Sequence, residues 1–197
     1  MTTLRTGETL ADVHAAAELS DDSARFLKPE RAPRDYVQIL IRNRLYEDAI
    51  GLIAHVLPPR EGVWWAWSCA RDAAGESPPE PVTRALETTR SWIVEPTDEN
   101  RRAAGEVAEE LDYDSAPAFA AFAAFLCGET LGPADAAPAP PPPGASGKAI
   151  AGCICMAAAT GEPEGIGARF EQFVARGLER ADKGKVWTAA EGGPATS

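Results

Sequence analysis

The chain has 197 residues, of which 30 are acidic and 19 are basic, so its formal net charge is -11. A chain this acidic lacks the broad basic surface that neutralises nucleic-acid phosphates or attracts an anionic membrane, so we expect neither as a partner. Its longest apolar runs fall short of the roughly 20 residues that span a bilayer, which argues against membrane insertion. Four cysteines in a chain long enough to build a core without disulfides predict a cytoplasmic protein.

Cap and breaker residues indicate the fold class. The sequence is rich in alanine and shows no strand-like alternation, which predicts an all-α protein. Thr9, Thr97 and Ser115 are predicted helix N-caps, and Pro33 is a predicted first-turn residue. The pair Pro58-Pro59 is predicted to end one helix and begin the next. Eight or nine helices joined by short turns favour an irregular multi-helix bundle, with a short α-solenoid of helical hairpins as the alternative.

Composition divides the chain into five parts. The proline-rich stretch is predicted to be an extended spacer, because proline lacks the amide donor that helices and central strands need. The segment after it is too apolar to remain in water, so we expect it to pack back on the body. The predicted parts are short N-terminal helices (1–30), the bundle core (31–132), the proline-rich linker (133–147), C-terminal helices packed on the core (148–184) and a disordered tail (185–197).

The sequence contains few residues in patterns typical of catalytic, metal or phosphate sites. His14 and His55 have no metal-ligand partner at helical spacing, and Cys153 and Cys155 point about 200° apart on a helix. The segment 144–148 resembles the end of a phosphate-binding loop, but it lacks the first glycine and the hydroxyl that follows the lysine. The sequence therefore predicts no catalytic residue, no metal site and no cofactor.

The charged helix after Thr97 and the proline run are both interpreted without a binding role. The helix after Thr97 carries opposite charges at i, i+3 and i, i+4, which predicts a solvated face with ion pairs. The proline run is interpreted as a plain tether, and binding in a partner's aromatic groove is the alternative. The charged stripe consists of Glu99, Arg101, Arg102, Glu106 and Glu109.

The most unusual segment is the tryptophan-rich helix after Pro58-Pro59. One interpretation makes its three indoles the centre of the core. The other leaves one indole, Trp64 or Trp65, at the surface as an interface anchor, flanked by arginines that stack on the rings or pair with carboxylates. The predicted partner-binding residues are Arg60, Glu61, Trp64, Trp65, Trp67 and Arg71.

Three segments in fixed order carry a resemblance to a known family. They are 60–71, then 98–104, then 148–152 after the proline-rich gap. Over about Pro33 to Lys183 the chain resembles an uncharacterised family of bacterial proteins that carry a domain-of-unknown-function label. The resemblance implies an association with contractile, type VI-like secretion genes, and it brings no catalytic residues.

These observations favour a non-enzymatic cytoplasmic adaptor or chaperone that binds another protein. The resemblance implies a secretion-system effector or spike component as that partner. The alternative is a small-molecule-binding helical protein or enzyme with a pocket near the Pro58-Pro59 turn. Its polar groups would be His55, Arg60, Glu61 and Arg71. The oligomeric state is left open by the sequence.

Overall fold

A computed structural model describes residues 7–132 and 137–187. These residues form ten α-helices and one 3₁₀ turn (Pro163–Gly165) without a strand, which confirms the predicted all-α class. The helices are α1 (Leu10–Ala16), α2 (Asp21–Ala24), α3 (Pro33–Arg42), α4 (Tyr46–Val56), α5 (Pro59–Ala74), α6 (Glu80–Val94), α7 (Asp98–Glu110), α8 (Ala116–Phe125), α9 (Ala145–Ala159) and α10 (Ile166–Lys183).

The residues predicted to begin helices are found at helix starts in the structure. The Thr9 hydroxyl accepts the Asp12 amide while the Asp12 carboxylate accepts the Thr9 amide, which makes a capping box. The hydroxyls of Thr97 and Ser115 likewise cap α7 and α8. Pro33 is the first residue of α3, and its missing N–H costs nothing there because the first helical amides have no intrahelical acceptor.

The packing of α9 decides between the two predicted architectures. This helix contacts α4, α5, α8 and α10, and α10 also contacts α4 and α5. In a solenoid each repeat touches only its neighbours along the chain. Contacts between the last two helices and helices about 100 residues earlier therefore make the molecule a bundle, as predicted, and the solenoid alternative is wrong.

Two boundaries differ from the expected ones. Helix α9 begins at Ala145, so the end of the predicted linker is helical; Gly144 has a φ of 73°, a left-handed conformation that turns the chain into α9. Val186, the second residue of the predicted disordered tail, is only 2% exposed and therefore packs against the body. The rest of that tail (188–197) and the first part of the linker (133–136) lie outside the described residues.

Helices α5, α8 and α9 pack against one another in the core, and α10 closes over α5. Trp65 is completely buried, and its indole N–H donates to the carbonyl oxygen of Phe173 at 2.9 Å. Gly177 lies directly against the same ring, so closely that an added Cβ would overlap the six-membered ring of the indole. The absence of a side chain at 177 is therefore what lets α10 approach α5.

We expect Gly177→Ala to lower the free energy of unfolding by about 1–3 kcal/mol, because the rigid indole has no room to move away in a packed core. Gly167→Ala is the matched control on the same helix. A Cβ there meets no atom within 4 Å, so helix propensity should leave stability unchanged or raise it by up to about 1 kcal/mol. Urea unfolding of both variants measures the difference, and equal midpoints would contradict the close-packing argument.

Candidate functional site

The three indoles of α5 occupy different environments. Trp65 is a core residue, so the expectation that it could line a groove is wrong. Trp64 and Trp67 are partly exposed and lie one helical turn apart. The Trp67 N–H donates to the Leu86 carbonyl at 2.9 Å, whereas that of Trp64 has no partner among the described residues. Trp64 is thus the indole whose polar edge is available.

Trp64 is covered on one face by an arginine from α10. The guanidinium carbon of Arg180 lies 4.3 Å from the Trp64 ring centroid, and its Nε donates to the Glu61 carboxylate. The predicted stacking of an arginine on an α5 indole is present here, but the arginine comes from 116 residues further along the chain. The sequence gives no local signal for that pairing.

A second arginine–tryptophan pair lies one turn along α5. The guanidinium carbon of Arg71 is 4.9 Å from the Trp67 ring centroid, whereas the sequence placed Arg71 beside Trp64 or Trp65. Asp72 pairs with Arg71 at 3.2 Å and with Arg176 of α10 at 2.6 Å. Together these side chains form what we call the Arg–Trp face, which consists of Glu61, Trp64, Trp67, Arg71, Asp72, Arg176 and Arg180.

The charge of the Arg–Trp face differs from that of the whole chain. It holds three arginines and two carboxylates in a molecule whose formal net charge is -11. The side chains of Arg180 and Arg176 remain 33% and 22% exposed, so their unused N–H groups face solvent. Guanidinium groups held flat against aromatic rings keep their edges free to bind carboxylates.

Arg60 has a structural role instead of the predicted interface role. Its side chain donates to the carbonyl oxygens of Ile93 at 2.5 Å and Val94 at 3.1 Å. These are carbonyls of the last turn of α6, which have no partner within their own helix. Arg60 therefore caps α6, and the expectation that it flanks an indole is wrong.

The prediction that the charged stripe of α7 is solvated is wrong at Arg101. This arginine is only 3% exposed, and its guanidinium donates to Asp98 at 2.7 Å and to the Phe125 carbonyl at 2.8 Å. The neighbouring Arg102 pairs with the other oxygen of Asp98 at 2.6 Å. Burial costs less here because the charge is paired and hydrogen-bonded. Both arginines pair with Asp98, which the predicted stripe does not contain, and Arg101 also ties α7 to the end of α8.

A cavity of about 420 Å³ lies at the Pro58-Pro59 turn. His55, Pro58 and Ser146 are among the residues that line it, and Val186 closes one side. The other polar residues proposed for a pocket at this turn are absent from its wall: Arg60, Glu61 and Arg71 all lie elsewhere. The alternative prediction is therefore right about a cavity here and wrong about most of its polar groups.

His55 is held tightly beside this cavity. Its Nδ1 lies 2.8 Å from the Gly51 carbonyl oxygen and donates to it, while Nε2 is buried with no partner in the described chain. Burial lowers the pKa of His55, against the opposing effect of the Gly51 hydrogen bond. Since an added Cβ on Gly144 or Gly147 would lie about 3 Å from the ring, the start of α9 presses on the imidazole.

The other histidine belongs to a serine–histidine pair that the sequence did not reveal. His14 Nε2 lies 3.0 Å from Ser23 Oγ, within range for activating a nucleophile. Ser23, however, is completely buried, and its hydroxyl donates to the Ser20 carbonyl at 2.8 Å. No substrate atom can reach it, so the arrangement joins α1 to α2 and offers no nucleophile.

The four cysteines are free thiols held in low-polarity surroundings. Burial raises the pKa of Cys69, Cys127 and Cys155 to about 12, and raises that of Cys153 well above its ordinary value. Thiols react as thiolates, so these groups are poor nucleophiles at neutral pH. Across 7–132 and 137–187, no three metal-ligating side chains cluster together.

The fold and its surface define an all-α bundle with an arginine–tryptophan face. The chain belongs to the family described as "Family of unknown function (DUF6931)", whose model matches residues 36–181. This confirms the resemblance to an uncharacterised family. Neither curated proteins nor solved structures gave a match to the chain. In the part of the chain that the structure describes, none of the helices has the length and hydropathy to cross a membrane.

We expect the protein to lose stability through His55 as the pH falls from 7.5 to 5.5. Because burial lowers the folded-state pKa of His55, the unfolded chain binds this proton more readily. The free energy of unfolding therefore declines below about pH 6.5, the ordinary histidine pKa, and continues to decline towards the lower folded-state pKa. Urea unfolding at both pH values measures the loss.

His55→Asn should reduce this pH-dependent loss, since asparagine can still donate to Gly51 but does not titrate. His14→Asn is the control variant, because it also replaces a histidine by asparagine but leaves His55 in place. An identical loss in wild type and His55→Asn would show that other groups cause the pH dependence.

Proposed function

We propose that this chain is a non-enzymatic adaptor that binds another protein through the Arg–Trp face. The observation that carries the proposal is Trp64, a partly exposed indole with a free N–H and an arginine over one face. Tryptophan and arginine are the residues most enriched at the energetic centres of protein interfaces. A rigid ring beside pre-positioned guanidinium groups binds with little loss of side-chain entropy.

The chemistry of the face suggests the kind of segment it binds. Three arginines around two indoles suit an apolar anchor flanked by carboxylates, because guanidinium binds carboxylate in a planar, bidentate geometry. The existing partners, Glu61 and Asp72, hold the arginines in place before binding. Contacts made at this face should therefore be stronger at low ionic strength.

The particular form proposed for this role is a cytoplasmic adaptor or chaperone for a secretion-system effector or spike component. It rests on what the sequence resemblance implies about secretion genes, since the family match itself carries no function. Recovery of the natural partner from the native host tests this form separately from the docking surface. A partner unrelated to secretion would remove the secretion role and leave the surface proposal standing.

The docking test compares three versions of the full chain against the purified natural partner. We expect Trp64→Ala to raise the Kd by more than about tenfold, as truncation of an interface hot spot does. Val94→Ala removes a large apolar side chain on α6 that is 65% exposed, more than any other in the part of the chain that the structure describes, and should leave the Kd unchanged. Isothermal titration calorimetry measures all three.

Equal Kd values for the three versions would rule out Trp64 as an anchor. Trp65→Ala is unsuitable for this test, because truncating a fully buried tryptophan costs about 3–5 kcal/mol and would confuse unfolding with lost binding.

The cavity at the Pro58-Pro59 turn favours a second candidate function, small-molecule binding. Its volume of about 420 Å³ lies within the range of ligand pockets. If a metabolite occupies it, a hundredfold excess over Kd should stabilise the fold by about 2.7 kcal/mol, a rise in Tm of about 5–10 °C. Ser146→Leu, which fills part of the cavity, should abolish the rise.

A thermal-shift screen of metabolites and metal ions performs this measurement. No saturable shift across the screen, or a shift that persists in Ser146→Leu, would exclude the cavity as the binding site.

A further inference from the structure

The proline segment, residues 137–143, is a second exposed surface that lies between α8 and α9. Its sequence, Ala-Pro-Ala-Pro-Pro-Pro-Pro, lies outside any helix or strand. Every residue in it is exposed except Pro141, which is partly buried. The exposed proline rings of this segment are available to a partner.

The conformation of the proline segment is restricted before any partner arrives. Each proline ring locks φ near −65°, and each residue that precedes a proline is restricted to extended backbone. Ala139 is also fixed at both ends: its N–H donates to the Thr130 hydroxyl at 2.8 Å, and its carbonyl accepts the Leu131 N–H at 2.7 Å. The segment is therefore biased towards polyproline II geometry, is tied to the loop after α8, and ends in a turn that the Ala145 N–H closes on the Pro142 carbonyl at 3.0 Å.

The three-residue repeat of a polyproline II helix shows which edge is free. Residues three apart share an edge. One edge carries Pro138 and Pro141, of which Pro141 is partly buried, and a second carries Ala139 and Pro142, whose carbonyl oxygens accept the N–H groups of Leu131 and Ala145. The third edge carries Pro140 and Pro143, and both are exposed.

We propose that the Pro140–Pro143 edge docks into an aromatic-lined groove of a partner domain. The edge offers flat rings and carbonyl acceptors, and its prolines have no N–H to donate. Such a surface is matched by aromatic side chains that stack on the rings and whose Trp or Tyr groups donate to the carbonyls. No charged residue occurs from 137 to 147, so stacking and these hydrogen bonds carry the recognition.

This docking is separate from the proposed function, since it needs no residue of the Arg–Trp face. Its test uses the full chain and an isolated polyproline-binding domain with an aromatic groove, of the WW or EVH1 type, as the probe. Titration followed by the intrinsic fluorescence of the groove, or by calorimetry, gives the Kd. We expect saturable one-to-one binding.

Two double variants make the test specific to one edge. Pro140→Ala/Pro143→Ala removes both rings of the free edge and should raise the Kd by about tenfold or more. Pro138→Ala/Pro142→Ala is the matched control: it also removes two prolines, and in each pair one new alanine still precedes a proline. The control should change the Kd by less than about threefold.

A third variant tests pre-organisation. Thr130→Val removes the hydroxyl that holds Ala139 while keeping the side-chain shape, so it should raise the Kd a few-fold by loosening the segment. An unchanged Kd in Pro140→Ala/Pro143→Ala, or no binding by any groove domain, would overturn the proposal. Self-association of the wild type that the same double variant abolishes would also overturn it, because the occupant would then be a second copy.

Discussion

The contact between Trp65 and Gly177 sets the geometry of the surface that α5 and α10 share. It brings α10 against α5 and fixes their register through the indole hydrogen bond to Phe173. Arg176 and Arg180 flank Gly177 on the same helix. Once the glycine lies under the ring, these two arginines reach Asp72 and Trp64 on α5. The surface we propose for docking is thus a consequence of how the core closes.

Arginine serves mainly to join helices in this acidic chain. Arg60, Arg101 and Arg169 each donate to a backbone carbonyl at or near the end of another helix. Carbonyls in a last turn have no partner within their own helix, so a guanidinium from elsewhere both satisfies them and fastens two elements together. The arginines of the Arg–Trp face differ, because they bond to side-chain carboxylates: Arg71 and Arg176 to Asp72, and Arg180 to Glu61.

The polar groups that resemble catalytic parts satisfy one another inside the fold. Ser23 and His14 are linked to backbone and to each other, and the Cys153 thiol donates to the carbonyl oxygens of Ala66 and Ala116. Groups engaged in this way are not available to a substrate. Among the described residues, the Arg–Trp face, the cavity beside His55 and the proline segment are the surfaces we propose for contact with other molecules.

The sequence alone determined the helices, because capping, proline breaks and alanine content act within a few residues. Thr9, Thr97, Ser115 and Pro33 begin helices where they were expected to. Only the tertiary structure decided which indole is buried. Trp64 and Trp65 are adjacent and chemically identical, and their environments differ because a glycine 112 residues beyond Trp65 makes room for one ring alone. Such long-range contacts leave no local pattern in a sequence.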